Sequence, residues 1–599
     1  MSDVQLQQLV EIEPPTNPFP GLRPFEFHEN HLFFGREGQS EQLISKLGTA
    51  HFLAVVGTSG SGKSSLVRAG LLPALFGGLM GTSGSRWRVA IMRPGNDPLS
   101  NLARALDAPD VFGTVGAPPS LERQVMTETL LRRGSLGLVE LTRQAKLATG
   151  ENLLVLVDQF EELFRVEQST ASQETENEKA AFVKLLLEAK AQRDVPIYVV
   201  LTMRSDYLGD CAQFWDLPEA INDSQYLIPR LTRDQRREVI TGPVAVGEAT
   251  ITPRLVNRIL NDVGDDPDQL PLLQHALMRT WEQWQAEQQP HASLDLRHYE
   301  AIGGLGRALS YHADEAYNEL SPAQQKLAEH MFKCLTEKGT DNREVRRPQT
   351  VRELCEVIEA DEQDVIAVIN VFRQPGRSFL MPPAEIELTA DSLIDISHES
   401  LIRNWQKLKT WVEEEAQSAA IYKRLAQDAD LHRQGKSALL RDPGLQFALD
   451  WQVKNKPNNA WAQRYHKEFS TTVEFLQQSK KARQRKLWQT RILISFLGVA
   501  FLFASGLAWY IDQLRSEALE QKTKAEGREK EAIEQRLRAE TKEKEADEQR
   551  FLAETREKEA QRQRQIAIVQ SQKAEEQKTI AEDQRRQTLV QKKTGRDTT

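Results

Sequence analysis

Residues 52–66 read FLAVVGTSGSGKSSL, and this stretch decides the fold of the region around it. Its first five residues are apolar and predict a buried strand, while the glycine-rich turn that follows leads into a predicted helix. The turn carries the spacing of a phosphate loop, Gly57, Gly62, Lys63 and Ser64. Glycines let backbone amides curl around phosphate oxygens, and a helix N-terminus adds its positive dipole end. The stretch therefore predicts a nucleotide site on a strand–loop–helix unit.

Each side chain of the loop has an expected role. Lys63 is expected to meet the β- and γ-phosphates of ATP, and the Ser64 hydroxyl is expected to hold Mg²⁺. The remaining residues of the predicted nucleotide contact are Gly60, Ser61 and Ser65. The loop predicts ATP or ADP with Mg²⁺ as ligands, but it does not distinguish a motor from a transferase or a switch.

Composition limits the classes of protein to which the chain can belong. It has 599 residues, too many for one core, and a net charge of −9 that argues against a broad nucleic-acid surface. The three cysteines are far apart and suit a reducing compartment. The N-terminus lacks the pattern of a signal peptide, so the chain is expected to begin in the cytosol.

A second segment predicts a membrane span. Residues 492–511, ILISFLGVAFLFASGLAWYI, contain no charged side chain, and as a helix they would cover about 30 Å, the thickness of bilayer hydrocarbon. Six basic residues lie within the twelve positions before this segment, and only two within the twelve after it. Basic flanks stay on the cytoplasmic side. We therefore expect a single-pass protein with its N-terminal body in the cytoplasm and its tail, residues 512–599, on the opposite side.

The tail has a seven-residue repeat of alanine, which predicts a long helix that pairs weakly with a partner helix. The positions are Ala518, Ala525, Ala532, Ala539, Ala546, Ala553, Ala560, Ala567, Ala574 and Ala581. Because alanine buries little surface and most positions three residues further on are polar, a solitary solvated helix is an open alternative.

Acidic residues follow a second buried strand, LLVLVDQFEELF (153–164). In a nucleotide-binding sheet one such carboxylate serves the Mg²⁺ shell and another orients the attacking water. Asp158 is predicted to take the metal role and Glu161 the water role, with Glu162 as the next candidate. A third strand, PIYVVLTMRSDYL (196–208), carries Arg204 just past its end, where ligands gather in parallel sheets. An arginine there can neutralise a γ-phosphate, although an exposed loop arginine is the alternative.

Six segments together resemble one family, the STAND class of signal-transducing NTPases, and most closely its novel STAND branch. The resemblance covers about residues 17–480 and rests on the order of NPFPGLRPFEFHENHLFFGREGQSEQL (17–43), the phosphate loop with SSLVRAGLLPAL (64–75), VDQFEELF (157–164), TMRSDYL (202–208), DQLPLLQHAL (268–277) and ISHESLIRNW (396–405). The WD repeats that continue many such proteins have no counterpart in the sequence after the apolar segment.

The resemblance implies further nucleotide contacts. It places Phe34, Gly35 and Arg36 against the adenine, Pro271 at the base and ribose, and His398 at the β-phosphate of ADP. It also matches Arg204 to a strand-end sensor. From the residues alone, His398 is a histidine before an amphipathic helix, for which packing or helix capping is the more usual role.

The resemblance also implies the fold: an α/β P-loop NTPase core with a parallel sheet flanked by helices, followed by a helical lid, a winged-helix domain, a helical region, a transmembrane helix and a long C-terminal helix. The predicted boundaries are 1–46 for the N-terminal segment, 47–230 for the core, 231–321 for the lid, 322–412 for the winged helix, 413–487 for the helical region, 488–511 for the span and 512–599 for the tail.

Three functions compete on this evidence. The first, which uses every segment, is a membrane-anchored ATP/ADP switch that hydrolyses ATP slowly, oligomerises, and responds to a protein trigger and output partner that the sequence does not identify. The second is an AAA+-like loader whose winged helix touches DNA, for which Arg343, Arg346 and Arg347 offer positive charge among acids. The third is a membrane tether whose nucleotide site serves only stability.

Overall fold

The computed structural model describes residues 17–113, 120–164, 173–264, 269–287, 292–338, 344–525, 541, 544 and 547–565. The chain divides into two units, Met1–Ala482 and Arg483–Thr599, and each is described by itself.

A five-stranded parallel sheet forms the centre of the first unit. Its strands are β1 (Phe52–Gly57), β2 (Arg86–Met92), β3 (Glu151–Val157), β4 (Ile197–Arg204) and β5 (Gln225–Leu227). They lie in the order β2-β3-β4-β1-β5, and every pairing is parallel. One strand, β4, therefore separates the phosphate-loop strand β1 from the acidic strand β3. The carboxyl ends of all three lie at one edge, with Gly57 paired in register with Arg204.

The central strands β1, β3 and β4 are largely apolar because helices cover both faces of the sheet. Alternate residues of β1 enter two separate cores, Phe52, Ala54 and Val56 on one face and Leu53 and Val55 on the other. The helices that supply these cores are α1 (Gln39–Ala50), α2 (Lys63–Ser65), α3 (Leu72–Phe76), α4 (Pro98–Leu106), α5 (Leu121–Arg132), α6 (Gly137–Ala145), α7 (Gln173–Ala191) and α8 (Leu217–Asp223). Helices α2 and α3 are joined by a π-helical turn, Leu66–Leu71.

A helical layer follows the sheet in sequence. It consists of α9 (Arg233–Val246), α10 (Pro253–Val263), α11 (Leu270–Ala286), α12 (Leu296–Ala301) and α13 (Gly304–Asn318). Their apolar faces share one core, which Phe19 from the N-terminal segment also enters. The ring of Phe19 packs edge-on against Trp281 of α11, at 6.4 Å between centroids. The N-terminal segment is therefore anchored on α11, at contacts 261 and 262 positions further along the chain.

A small mixed region comes next and has its own core. Its helices are α14 (Pro322–Cys334), α15 (Val351–Ile358), α16 (Glu362–Phe372) and α17 (Glu399–Asn404), and its strands are β6 (Thr336–Lys338), β7 (Glu344–Arg346), β8 (Gln349–Thr350), β9 (Leu380–Met381) and β10 (Leu393–Ile396). Strands β6 and β7 pair antiparallel, and β10 lies between β8 and β9. Phe332, Phe372 and Trp405 pack ring to ring at the centre of this core.

Four further helices follow this region. They are α18 (Gln406–Arg433), α19 (Gly444–Asn455), α20 (Asn459–Gln463) and α21 (Phe469–Ala525). Tyr422 of α18 lies in a further small core with Trp451 of α19. Among the described residues, α21 is the one helix long and apolar enough to cross a membrane, and its apolar segment is wholly exposed.

The predicted heptad helix is described only in part. The structure is helical up to Ala525 and again over residues 547–565. Of the repeating alanines, Ala532, Ala539, Ala546, Ala567, Ala574 and Ala581 lie outside the described residues.

Candidate functional site

The phosphate loop joins β1 to α2 and turns at two glycines. Gly60 and Gly62 have backbone φ angles of 73° and 88°, in the left-handed region that side chains with a Cβ rarely adopt. Gly62 caps the N-terminus of α2, where the first amides of a helix have no partner within it. The backbone is therefore shaped to present amides to an anion in front of the loop.

Lys63 is a buried cation held by the loop itself. Its Nζ donates to the carbonyl oxygens of Gly57 and Thr58, at 3.0 and 2.7 Å. Burial lowers the pKa of Lys63, and the negative charges of Glu161, Glu399 and Asp158 act against that shift. The loop's own carbonyl groups thus hold the Lys63 side chain at the loop.

Three of the four serines of the loop, Ser61, Ser64 and Ser65, differ in their surroundings. Ser64 Oγ donates to Asp158 Oδ1 at 2.7 Å, and Ser65 Oγ accepts from the backbone amide of Phe25 at 3.2 Å. Ser61 Oγ is buried and has no hydrogen-bond partner among the described residues. Only Ser64 therefore lies against the carboxylate at the end of β3.

Asp158 follows β3 and is almost completely buried, with 1% of its surface exposed. Thr202 Oγ1 donates to its Oδ1 at 2.6 Å, and Arg68 Nη2 donates to its Oδ2 at 3.0 Å. Burial disfavours the charged form, but Arg68, Arg93 and the hydrogen bonds from Thr202 and Ser64 outweigh burial and hold the pKa of Asp158 below its usual value. An ionised carboxylate 2.7 Å from a serine hydroxyl fits the donor set that Mg²⁺ takes in phosphate-loop proteins.

The two glutamates after Asp158 point to different places. Glu161 is buried, lines the cleft in front of the phosphate loop, and accepts from the backbone amide of Arg204 at 3.3 Å. Glu162 does not line that cleft, and its Oε2 accepts from the backbone amide of Gly95 at 3.2 Å. The geometry therefore separates two residues that the sequence left adjacent as candidates.

Arg204 ends β4 beside the loop and lines the same cleft. Its Nε and Nη2 donate to the carboxylate of Asp206 at 3.1 and 2.6 Å. Desolvation favours the neutral guanidinium, but the hydrogen bonds and charge of Asp206 outweigh it and raise the pKa of Arg204 above its usual value. Arg204 is thus a permanent cation, with 11% of its side chain exposed.

The FGRE segment, residues 34–37, contacts the phosphate loop through Arg36. Arg36 Nη2 donates to the carbonyl of Ser61 at 2.9 Å, and its Nη1 donates to the carbonyl of Pro229 at 2.7 Å. Burial lowers the pKa of Arg36 to about 10. Phe34 lines the cleft and lies so close to Gly242 of α9 that a Cβ at Gly242 would come within 2.5 Å of its ring. Arg36 therefore braces the phosphate loop as well as lining the cleft.

Gly35 has a specific reason to be glycine. Its φ angle is 78°, and a Cβ there would lie 2.7 Å from the carbonyl oxygen of Gln235. This close approach to α9 sets the position of Phe34. Gly35 itself does not line the cleft.

The N-terminal segment crosses the cleft. Asn17 Nδ2 donates to the carbonyl of Met278 in α11 at 3.1 Å, and the Phe25 amide donates to Ser65. Residues 20–25 between these attachments line the cleft, as do Pro271 and Gln274 of α11. The segment therefore links the phosphate loop to the helix that carries Pro271.

His398 lies opposite the loop, immediately before α17. Its Nδ1 accepts from the backbone amide of Ser400 at 3.1 Å, so it caps this helix. Burial lowers the pKa of His398 to about 4, and the ring is therefore neutral near pH 7. Because Nδ1 accepts a backbone N–H, the ring proton resides on Nε2. His398 lines the cleft and can donate a hydrogen bond there.

Arg346 connects the region that carries His398 to the loop after β3. It was not predicted as a site residue. It ends β7, is 5% exposed, and pairs with two carboxylates, Asp395 and Glu399. Its Nη2 donates to Gln159 Oε1, next to Asp158, at 2.9 Å. Burial favours the neutral guanidinium, but Asp395 and Glu399 outweigh burial and raise the pKa of Arg346 above its usual value. Positive charge in the sequence had suggested a DNA face, yet this arginine is internal.

Two walls therefore enclose the cleft. We call residues 57–65 with Asp158, Glu161 and Arg204 the core wall. We call Arg346, His398 and Glu399, which line the cleft, together with Asp395, an ion-pair partner of Arg346 that does not line it, the opposite wall. Of the sequence-predicted residues, all but Gly35, Gly57 and Glu162 line one cleft. Sequence reasoning missed Arg68 and Arg346. Arg68 lies one helical turn beyond Ser64, a spacing that could have suggested contact with the same carboxylate, but no pattern in the sequence pointed to Arg346.

The parallel sheet, the phosphate loop and the acidic end of β3 define a P-loop ATPase. Within that class the chain belongs to the Novel STAND NTPase 1 family, whose model matches residues 18–439. No curated protein matches the chain.

The solved structures to which the chain is similar include two proteins of Aeropyrum pernix, ORC1 and ORC2. The ORC1 protein in complex with DNA is 12% identical over 64% of this chain and 93% of its own, with a TM-score of 0.35. The ORC2 protein in its ADPNP-ADP complexes is 15% identical over 63% of this chain and 94% of its own, with a TM-score of 0.35. The Walker-type ATPase of Pyrococcus abyssi is 14% identical over 64% of this chain and 99% of its own, with a TM-score of 0.31.

Proposed function

We propose that this chain is a membrane-anchored ATP/ADP switch in which bound nucleotide controls whether the opposite wall is closed on the core wall. Slow hydrolysis of ATP to ADP and phosphate would reset the switch. The single observation that carries the proposal is the contact of Arg346 with Gln159, because it connects residues about 190 positions apart beside the predicted metal site.

The core wall has the residues that ATP and Mg²⁺ need. Ser64 and Asp158 would hold Mg²⁺, which when bound neutralises charge on the phosphates. Lys63 and the amides of residues 60–65 would bind the β- and γ-phosphates. Glu161 would orient the attacking water, and Arg204, a permanent cation, would face the terminal phosphate. We assign no chemical role to Glu162, because its carboxylate is turned toward Gly95.

The other side of the nucleotide would meet later parts of the chain. Phe34 and Pro271 are the side chains we propose for the base and ribose. His398 would donate its Nε2–H to the β-phosphate of ADP, and the hydrogen bond from Ser400 keeps the ring in the tautomer that this requires. A ligand held by both walls stabilises the closed arrangement, as any ligand stabilises the conformation it prefers.

We propose that the domains follow the predicted boundaries. Helices α9–α13 would be the lid (231–321), and α14 to α17 with the small strands would be the winged-helix domain (322–412). Two cores support a division in this part of the chain, and α13 contributes to both, with Leu305 and Ala308 in the first and Leu309, Ala313 and Ala316 in the second. The helical region (413–487) would lead to the membrane.

The apolar segment of α21 would anchor the protein in a membrane, with the core in the cytoplasm and the tail opposite. The tail and the body would support self-association, and a protein trigger and an output partner would complete the pathway. Tags placed at residue 2 and after Thr599 should be accessible from opposite faces of inside-out vesicles. Accessibility of both tags from one face would contradict this topology.

The DNA-loader alternative gains little from the fold. Arg346 is internal, Arg347 is largely buried with 13% of its side chain exposed, and Arg343 lies outside the described residues. The first turn of α16 carries the acids Glu362 and Asp364. Under the tether alternative, the two walls would keep the same arrangement whether or not nucleotide is bound.

The test is to purify the full chain in detergent and measure hydrogen exchange of β10 and α17 with ADP, with a non-hydrolysable ATP analogue and without nucleotide. A switch requires ADP to protect these elements more strongly than the ATP analogue does. Equal protection in all three states, with nucleotide bound, would favour the tether. Lys63→Ala supplies the nucleotide-free reference.

A further inference from the structure

Glu399 is a buried carboxylate next to the phosphate loop, and nothing in the chemistry described so far uses it. It is the first residue of α17, is 5% exposed, and lines the same cleft as Lys63. Its Oε2 accepts from Ser59 Oγ at 3.4 Å. Ser59 belongs to the phosphate loop, so an acid of the opposite wall contacts the element that binds phosphates.

The charge of Glu399 acts on the cations of the core wall. It opposes the effect of burial on Lys63, and after Asp206 it helps to raise the pKa of Arg204 above its usual value. Lys63 and Arg204 are the two cations proposed for the terminal phosphates. A carboxylate that interacts with both competes with a phosphate for the same positive charge.

Arg346 fixes the position of Glu399. Its Nε donates to Glu399 Oε1 at 3.1 Å, and its Nη1 donates to Asp395. Arg93 also approaches Asp395, at 3.5 Å. Glu399 is therefore held beside the phosphate loop with its other oxygen, Oε2, against Ser59.

We propose that Glu399 is a specificity-determining residue that makes the closed cleft prefer ADP over ATP. The inference rests on the proposed function and names its discriminating group. The γ-phosphate adds negative charge at a loop whose environment already contains a buried carboxylate, and like charges close together in a water-poor site repel strongly. ATP would therefore displace Glu399, and because Glu399 pairs with Arg346, that displacement would loosen the opposite wall.

Glu399→Gln tests the charge with little change of shape. Binding of fluorescent ADP and of a fluorescent non-hydrolysable ATP analogue, both with Mg²⁺, is measured on the full chain in detergent. We expect the variant to raise affinity for the ATP analogue by about tenfold, and to change affinity for ADP by less than about twofold because ADP lacks the repelled group.

Asp395→Asn is the matched control. Asp395 also pairs with Arg346 and is also buried, but it does not line the cleft. If Glu399 acts by direct repulsion, the ratio of ATP-analogue to ADP affinity in Asp395→Asn stays close to that of the parent. An equal rise of the ratio in both variants would mean that weakening Arg346 is sufficient, and would overturn the proposal.

A second measurement needs no variant and so does not depend on its folding. The parent protein should bind ADP more tightly than the ATP analogue, although the γ-phosphate offers a further group to Lys63 and Arg204. Equal or tighter binding of the ATP analogue by the parent, or an unchanged nucleotide ratio in a folded Glu399→Gln protein, would refute the inference. Failure of the parent to bind either nucleotide would instead refute the proposed function, and the inference with it.

Discussion

The core wall and the opposite wall of the cleft are built in different ways. The core wall comes from loops at the carboxyl ends of parallel strands, so the sheet itself brings Lys63, Asp158 and Arg204 together. The opposite wall is held to it by Arg346, whose partners come from β10, α17 and the loop after β3. Under the proposed function, the core wall supplies most of the contacts to the nucleotide, and the opposite wall, which is joined to it by ion pairs, is the side that we expect to open.

We expect the largest effect when Arg346, the arginine that joins the two walls, is replaced. Arg346→Leu leaves Asp395 and Glu399 buried without their cation, and loss of one partner of a buried ion pair costs about 3–5 kcal/mol. We expect hydrogen exchange to become much faster in β10 and α17 while β1, β3 and β4 keep their protection.

Arg352→Leu is the control for this prediction, because Arg352 pairs with Asp391 at 2.9 Å on the surface of the same region. It should leave exchange in β10 and α17 unchanged. Equal exchange in the parent and in Arg346→Leu would show that the opposite wall does not depend on Arg346.

Glu161 and Glu162 should respond differently to the same substitution. Glu161→Gln removes the carboxylate that faces the cleft, so ATP hydrolysis should slow by about 10²–10⁴-fold while binding persists. Glu162→Gln should hydrolyse at nearly the parent rate because that side chain is turned to Gly95. Phosphate release from the purified full chain measures both. The reverse result would move the catalytic role by one residue.

Lys63→Ala tests the ligand chemistry of the core wall. It removes a buried cation from the loop, and because hydrogen bonds to charged groups are strong, ADP and ATP-analogue affinities should each fall about a hundredfold. The exposed Lys46 of α1 gives the control, since Lys46→Ala changes charge equally without touching the loop. Nucleotide titration measures the affinities of both variants. Similar affinities in Lys63→Ala and Lys46→Ala would mean that the nucleotide binds elsewhere.

His398 supplies the smallest predicted effect and separates a sensor from a helix cap. His398→Ala loses both roles, whereas His398→Asn can still cap α17, since asparagine is a favoured N-cap. Loss of one hydrogen bond to a charged group should speed ADP release by about ten- to a hundredfold in both variants. The melting temperature without nucleotide should fall clearly only in His398→Ala.

A pH series gives an independent check on His398. Its folded pKa of about 4 lies below the ordinary value of 6.5, so the unfolded chain binds a proton more readily between these values. The folded state therefore loses stability as pH falls from 6.5 toward 4, by about 1.4 kcal/mol per pH unit. His398→Asn should remove that part of the loss. Identical acid sensitivity in the parent and in His398→Asn would contradict burial of a neutral ring.

Much of the core wall was predictable because it is encoded locally. Gly57, Lys63 and Ser64 lie within eight consecutive positions, and Asp158 ends an apolar run that can only be a buried strand. Their contact then follows from parallel strands that share one edge. The distinction between Glu161 and Glu162 was not predictable, because both follow the same strand and only the turn Phe160–Phe164 directs one carboxylate into the cleft.

By itself, the sequence determined the phosphate-loop site, the acids that follow β3, the family and the apolar segment of α21. The tertiary structure decided the strand order, which inserts β4 between β1 and β3. It also decided the roles of Arg68, which pairs with Asp158, and of Arg346, which pairs with Asp395 and Glu399. The physical reason is that a phosphate loop works through backbone geometry that a few adjacent residues impose. A buried ion pair depends on which distant carboxylates the folded chain brings within about 3 Å of a guanidinium. The residues next to an arginine in the sequence do not show whether it is exposed to solvent or paired with such a carboxylate.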